Sequence, residues 1–221
     1  MRGSVVKMKS RNPASSAMRG KRPAPFPIVG IGASAGGLEA FSELLRQLPL
    51  QTGMAFVLVQ HLDPKHSSEL REILARTTKI PVAEVTDGTV VRPDHIYVIP
   101  PNTVMAIKGG VLRLSARVLT HGQHLPIDYF LRSLAEDSAD RAISVILSGT
   151  ASDGTEGSRA IKASGGITFA QDEQSAKYGG MPQSAVNTGC VDFVLPPSAI
   201  APRVSQGGTT PVSRSRGDRE A

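Results

Sequence analysis

Two short apolar runs, at positions 54–59 and 143–147, most constrain how this chain can fold. The first holds no polar side chain and the second holds only Ser144. Such runs are typical of strands that are buried on both faces of a parallel sheet. Helical patterns separate them, as where Leu38, Phe41 and Leu45 recur at spacings of three and four. The alternation predicts an α/β fold, a doubly wound and mostly parallel sheet with helices on both faces.

The rest of the chain divides into shorter elements of both kinds. Strands are predicted at 28–32, 82–85, 96–99, 167–170 and 191–195, and helices at 38–48, 70–77, 126–134, 155–164 and 182–187. Gly109-Gly110 separates two further strand-like runs and predicts a β-hairpin insertion. All these elements fit one domain over residues 26–203, and no element is predicted after residue 195.

The net charge of +6 belongs to the two ends of the chain. Residues 1–24 hold seven basic side chains and no acid, whereas residues 25–202 hold 14 basic and 17 acidic side chains. Segments rich in Arg, Ser, Pro and Gly without apolar periodicity are typical of disorder, so residues 1–25 and 204–221 are predicted to be disordered tails. A transit peptide or a weak anchor for anionic surfaces remains an alternative for the N-terminal tail. No basic motif indicates nucleic-acid binding.

The remaining composition excludes several other classes of protein. A single cysteine in 221 residues excludes a disulfide framework and any site built from several thiolates. No apolar run approaches the roughly 18 residues of a membrane-spanning helix, and the N-terminus lacks the apolar middle section of a secretory signal. We therefore expect a cytoplasmic protein that is not integral to a membrane.

Three predicted strands end in residues with reactive side chains. Ser34 follows the first strand, His61 follows the run at 54–59, and Asp153 follows the run at 143–147. The carboxyl ends of parallel strands share one edge of the sheet, where ligands bind. A serine, a histidine and an aspartate at one edge are the set that a serine hydrolase requires.

The segment around Ser34 also matches the G-x-S-x-G pattern of a nucleophile elbow, in which small neighbours let the chain turn sharply. The backbone amides of Ala35 and Gly36 would then be candidates for binding an oxyanion at a helix N-terminus. Met181, which follows two glycines, is a candidate either for the wall of a substrate pocket or for packing within its loop.

Each of these residues also has another interpretation. Ser34 suits the N-cap of the following helix, and Asp153 suits an ordinary turn or a cap for the helix that begins near Thr155. Gly30, Gly32 and Gly36 resemble a loosened dinucleotide-binding motif, although the second strand lacks the acid that would bind the ribose.

A metal site is a further alternative, at His61, Asp63 and His66. It is disfavoured because the other histidines show no ligand spacing. We therefore predict that the protein uses neither a metal nor a cofactor.

Five segments, in order along the chain, carry a resemblance to a known family. They are 28–37 (IVGIGASAGG), 59–64 (VQHLDP), 98–101 (VIPP), 146–154 (ILSGTASDG) and 180–187 (GMPQSAVN). Together they resemble the catalytic domain of CheB, the bacterial chemotaxis protein-glutamate methylesterase family. The resemblance spans about residues 26–200, which is nearly the whole predicted domain.

The resemblance implies a mechanism and a substrate. It implies that Ser34 is the nucleophile, His61 the base and Asp153 the acid that orients the base. The amides of Ala35 and Thr150 would bind the oxyanion. The implied reaction removes methyl esters from glutamate side chains of methyl-accepting chemoreceptors, and many members of the family also deamidate receptor glutamines.

The resemblance also bears on partners. Only about 26 residues precede the first predicted strand, so the chain is expected to be a stand-alone form without the family's receiver domain, with a truncated gene product as the alternative. The expected partner is the cytoplasmic domain of a methyl-accepting chemoreceptor. The sequences of the motifs resemble those of modules that are fused to methyltransferase and sensor domains. Methyltransferases or sensor kinases are therefore further expected partners. A catalytically silent module that docks on receptors is the alternative to an enzyme.

Overall fold

The computed structural model describes residues 24–60, 67–116 and 124–206. The strands in this part of the chain are β1 (Ile28–Ala33), β2 (Ala55–Gln60), β3 (Val82–Glu84), β4 (His95–Val98), β5 (Thr103–Lys108), β6 (Val111–Ala116), β7 (Ala142–Ile146), β8 (Ile167–Gln171) and β9 (Phe193–Leu195). The α-helices are α1 (Gly37–Arg46), α2 (Ser67–Thr77), α3 (Pro126–Ser138), α4 (Thr155–Ala163), α5 (Gly180–Asn187) and α6 (Pro197–Ser205).

Seven of the strands form one sheet in the order β3-β4-β2-β1-β7-β8-β9, and every pair in it is parallel. Strands β5 and β6 form the predicted hairpin as a separate antiparallel pair. Asp137 of α3 holds the turn of this hairpin, because its carboxylate accepts hydrogen bonds from the amides of Gly109 and Gly110. The doubly wound α/β fold and its hairpin insertion are therefore confirmed.

Each face of the sheet covers its own apolar core. On one face, β1 and β2 pack against α1, α2 and α6, with Phe41 and Phe56 fully buried. On the other face, the same strands pack against the hairpin, α3, α4 and α5, with Phe130 fully buried. Burial of β1 and β2 on both faces explains why their sequences are almost continuously apolar.

Two glycines of β1 let α3 lie directly on the sheet. A Cβ on Gly30 would lie 2.6 Å from Cδ2 of Leu131, and a Cβ on Gly32 would overlap Cγ2 of Ile127. Both glycines lie within the strand and not in a loop after it. Close packing of α3 therefore accounts for the glycine spacing that resembles a dinucleotide motif.

The sequence-based prediction missed helix α6. Pro202 lies inside α6, where proline normally breaks a helix, and so the nine-residue segment shows no clear helical signal. The helix continues to Ser205, and its Val204 is buried. At the N-terminal end of the described residues, Ala24 is buried in the core on the hairpin side of the sheet. The described structure thus begins before residue 26 and continues past residue 203, and most of the two predicted tails lies outside the described residues. Among the described helices, none is both long and apolar enough to cross a bilayer.

Candidate active site

The order of the strands reverses between β1 and β7. The chain passes from β1 to β2 on one side, and later returns to place β7 against the other side of β1. Ligands of open parallel sheets bind in the crevice beyond the carboxyl ends of the strands at such a reversal. Ser34 follows β1 and the loop that carries Asp153 follows β7, so two of the predicted catalytic residues flank this crevice.

Ser34 lies on a tight turn between β1 and α1, as the nucleophile elbow predicts. Its backbone amide donates to the carbonyl of Ser148 at 3.0 Å, and its carbonyl accepts from the amide of Gly37 at 2.9 Å. Gly36, with φ of 72°, is the N-cap of α1. The side chain of Ser34 is partly exposed and the helix begins three residues later, so the interpretation of Ser34 as the N-cap is wrong.

Ser148 connects the elbow to the loop after β7. Its buried hydroxyl donates to the carbonyl of Ala35 at 2.8 Å and accepts from the amide of Tyr178 at 3.0 Å. Its amide donates to Oε1 of Gln171 at 2.8 Å. A Cβ on Gly36 would lie 2.7 Å from this hydroxyl, so only glycine fits there. Sequence reasoning missed Ser148 and Gln171, because residues so far apart along the chain carry no shared pattern.

The loop after β7 packs tightly beside Ser34. Gly149 donates to the carbonyl of Tyr178 at 2.9 Å and accepts from the amide of Met181 at 3.0 Å. A Cβ on Gly149 would overlap Sδ of Met181 and would lie 3.0 Å from Cβ of Ser34. Met181 is therefore adjacent to the candidate nucleophile, but its side chain is fully buried. A role for Met181 in binding substrate stays a prediction.

Asp153 is buried, and its carboxylate binds the first turn of α3. One oxygen accepts from the amide of Ile127 at 3.0 Å and the other from the amide of Asp128 at 2.8 Å. Unpaired amides at a helix N-terminus favour a carboxylate there. Asp153 does lie in a turn, but its carboxylate binds the neighbouring helix α3. The alternative of an ordinary turn therefore describes only part of its role.

Asp128 brings a second buried carboxyl to the same place. One of its oxygens accepts from the amide of Gly157, in the first turn of α4, at 2.7 Å. The pKa of Asp128 is raised to about 6, because burial and the neighbouring charge of Asp153 outweigh the opposing effects of Arg132 and the amides of Gly154 and Gly157. The sequence analysis did not identify Asp128, since an acid in the first turn of a helix is common.

The other predicted site residues are placed as follows. Ala35 and Gly36 are partly exposed beside Ser34, and Thr150 is exposed on the facing loop. His61, Asp63 and His66 lie outside the described residues, so their roles stay predictions. Within the described part of the chain, no group of three or more His, Cys, Asp or Glu residues is arranged to hold a metal ion.

The fold and these loops define a doubly wound α/β protein with its candidate site between the ends of β1 and β7. The model of one family, described as CheB methylesterase, matches residues 29–204. A solved structure, the CheB methylesterase catalytic domain of Thermotoga maritima, superimposes with a TM-score of 0.79 at 31% identity. The match covers 83% of this chain and 99% of that one. The chain belongs to the CheB methylesterase family.

Curated relatives agree with this assignment. The protein-glutamate methylesterase/protein-glutamine glutaminase of group 3 operon from Rhizobium meliloti is 32% identical over 89% of this chain. The protein-glutamate methylesterase FrzG from Myxococcus xanthus is 33% identical over 91% of it. The chain spans 54% and 61% of the lengths of these two relatives. It also spans 14% of an uncharacterized 104.1 kDa protein from Rhodobacter capsulatus, with 43% identity.

Proposed function

We propose that this protein is a serine hydrolase that removes methyl esters from glutamate side chains of methyl-accepting chemoreceptors. The observation that carries the proposal is the hydrogen bond from the amide of Ser34 to the carbonyl of Ser148. This bond holds a partly exposed serine against the loop that carries the buried Asp153. The names of the relatives support the choice of a glutamyl methyl ester as substrate.

The first chemical step forms an acyl-enzyme. Ser34 Oγ attacks the ester carbonyl while His61 accepts the hydroxyl proton. The resulting oxyanion is stabilised by the amides of Ala35, Gly36 and Thr150. When the tetrahedral intermediate collapses, His61 returns the proton to the departing methoxy group, so that methanol and not methoxide leaves.

The second step hydrolyses the acyl-enzyme. Water attacks the acyl carbonyl while His61 again accepts a proton, and Ser34 leaves with that proton restored. The products are a glutamate carboxylate and the free enzyme. The same steps on a glutamine release ammonia in place of methanol, so we extend the proposal to deamidation.

Asp153 supports His61 in both steps. A carboxylate that accepts from the distal ring nitrogen holds the imidazole in the tautomer that faces the serine, and it stabilises the imidazolium. Two amides of α3 fix the carboxylate in a buried position, which supports this role because the acid of a triad must keep one orientation.

We propose that residues 24–206 form the catalytic unit and that it acts in the cytoplasm on the cytoplasmic domain of the receptor. Ligands of open parallel sheets bind beyond the carboxyl ends of the strands, and a glutamyl side chain of the receptor is proposed to reach Ser34 there. Methyltransferases and sensor kinases of the same signalling system are proposed as further partners.

The experiment is to measure methanol release from receptor membranes carrying methylated glutamates, with wild-type protein and with Ser34→Ala. We expect Ser34→Ala to lower turnover by at least about 10⁴-fold, because the covalent route is lost. The free energy of unfolding should change by less than about 1 kcal/mol, since the side chain is partly exposed.

The matched control is Ser205→Ala, at the C-terminal end of α6, which should leave methanol release unchanged. Wild-type turnover by Ser34→Ala would refute the proposed nucleophile. A wild-type protein that binds these membranes but releases no methanol would favour the silent docking module.

A further inference from the structure

Asp128 carries a buried carboxyl that the mechanism above does not use. It lies in the first turn of α3, and the residue is 5% exposed. A buried carboxyl is costly unless hydrogen bonds compensate for lost hydration. Its Oδ1 accepts from the amide of Gly157 at 2.7 Å, in the first turn of α4. Asp128 therefore caps a helix other than its own.

The arrangement is reciprocal. Asp153, just before α4, accepts from the amides of Ile127 and Asp128 in α3. The N-cap residues of the two helices, Leu125 and Gly154, make no capping hydrogen bond with their own side chains. Asp153, from the loop before α4, thus caps α3, and Asp128 of α3 caps α4. The amide of Asp128 holds Asp153, while the carboxylate of Asp128 holds the helix that follows Asp153.

The two helices approach so closely that their first turns have little room to shift relative to each other. A Cβ on Gly157 would lie 2.5 Å from Cβ of Leu131 and 3.2 Å from the Cα of Asp128. By contrast, the residues between Gly149 and Asp153 are exposed, and one of them, Ala151, has φ of 65°. The position of Asp153 therefore depends on its anchors in α3 and α4 more than on its own loop.

We propose that Asp128 is a positioning residue for the hydrolytic reaction, which holds the first turn of α4 on α3 and thereby fixes Asp153 toward the catalytic base. This inference rests on the proposed function, in which Asp153 orients His61. Displacement of a catalytic group by about 1 Å can lower the rate by about 10²-fold. Asp128 touches neither substrate nor the reacting atoms in this role.

The charge of Asp128 adds to its positioning effect. In the described residues, the charged groups that act on this carboxyl are Asp153, from the loop before α4, and Arg132, one turn along α3. When ionised, Asp128 places a second negative charge beside Asp153. Negative charge near an imidazole favours the protonated ring. Removal of this charge should therefore shift the pH dependence of the reaction as well as its rate.

The test compares Asp128→Asn, Asp128→Ala and the control Asp137→Asn by steady-state methanol release between pH 5 and 9. Asp137 lies on the same helix and also binds two backbone amides, but at the hairpin turn. We expect Asp128→Ala to lower kcat by about 10-fold or more and to change KM by less than about twofold. Asp128→Asn, which keeps an oxygen acceptor for Gly157, should retain more of kcat.

For Asp128→Asn, the midpoint of the acidic limb of the rate profile should move down by several tenths of a pH unit or more. Asp137→Asn should keep the wild-type kcat, KM and midpoint. Wild-type kcat and an unmoved midpoint in Asp128→Asn would overturn the inference and leave Asp128 a structural cap only. A change confined to KM would also overturn it.

If Asp128→Ala does not fold, Asp128→Asn decides alone, because it preserves the hydrogen-bond acceptor. Failure of this inference is distinct from failure of the proposed function. An inactive Ser34→Ala with a fully active Asp128→Asn overturns only the role of Asp128. A fully active Ser34→Ala overturns both.

Discussion

The N-termini of α1, α3 and α4 lie at the candidate-site edge of the sheet, and they differ in how their amides are used. The N-terminus of α1 has a glycine N-cap without a side-chain cap, beside the partly exposed Ser34 and Ala35. The N-termini of α3 and α4 are instead occupied by the buried carboxylates of Asp153 and Asp128. We call the first terminus open, and we call the other two closed because aspartate carboxylates bind their amides.

The difference shows how one structural element serves two chemical purposes. Amides at an open terminus can bind a negative charge that appears only during the reaction. Amides at a closed terminus hold a carboxyl group of the protein itself in a fixed orientation. The paired termini accordingly pack closely on one another, whereas Ser34, Ala35 and Gly36 at the open one are partly exposed. The following predictions test this contrast, beginning with the largest effect.

Asp153→Asn should produce the largest loss. Removal of the charge and of the preferred imidazole tautomer should lower turnover by up to about 10⁴-fold at neutral pH. The amide nitrogen of Asn cannot accept a hydrogen bond, so one amide of α3 loses its partner and the protein should lose about 1–3 kcal/mol of stability. Methanol release and urea denaturation measure the two effects. Loss of stability with a wild-type rate would return Asp153 to a purely capping role.

Gly149→Ala should disturb the open side of the crevice. The added methyl would overlap Sδ of Met181 and approach Cβ of Ser34 to 3.0 Å, so the loop or the nucleophile must shift. We expect turnover to fall by about 10²-fold. Gly179→Ala is the matched control, because a Cβ there meets nothing within 4 Å. Equal rates for the two variants would show that the position of Ser34 tolerates movement of this loop.

Asp128→Asn should change how stability depends on pH. Because the pKa of Asp128 is raised to about 6 in the folded protein, the folded state binds this proton more tightly than the unfolded chain does. This stabilisation is complete below about pH 4 and is lost as pH rises through about 6, by at most about 3 kcal/mol. The asparagine variant lacks this titration.

Urea denaturation of both proteins between pH 4 and 8 measures the difference. The stability of Asp128→Asn relative to wild type should increase across that window. A relative stability that does not change with pH would mean that the carboxyl is not destabilised by ionisation in the folded protein.

Glu39→Gln should have the smallest effect, because it changes an exposed charge at the open terminus. Glu39 lies in the first turn of α1, and its carboxylate is 3.7 Å from the ammonium of Lys177 with both side chains largely exposed. Solvent screens such charges, so we expect a stability loss of about 0.5 kcal/mol, detectable as a small decrease in Tm at low salt. A loss of several kcal/mol would contradict the distinction between open and closed termini.

Sequence reasoning succeeded where the relevant interactions are local. The apolar runs predicted the buried strands, and the turn at Ser34 follows from residues that are adjacent in the chain. It failed at α6, where Pro202 opposes a helix that tertiary packing of Ile200 and Val204 nevertheless stabilises. It also attributed the glycines of β1 to a possible ligand, although α3 is what they accommodate.

The sequence by itself determined the alternation of strands and helices, the turn that presents Ser34, and the presence of an aspartate after β7. Periodicity and small residues encode these features within a few positions of the chain. Only the tertiary structure decided what Asp153 binds, since Ile127 and Asp128 precede it by 26 and 25 residues. The same holds for the contact of Ser148 with Ala35, 113 residues away. Such hydrogen bonds arise when packing brings distant elements together, and no local pattern records them.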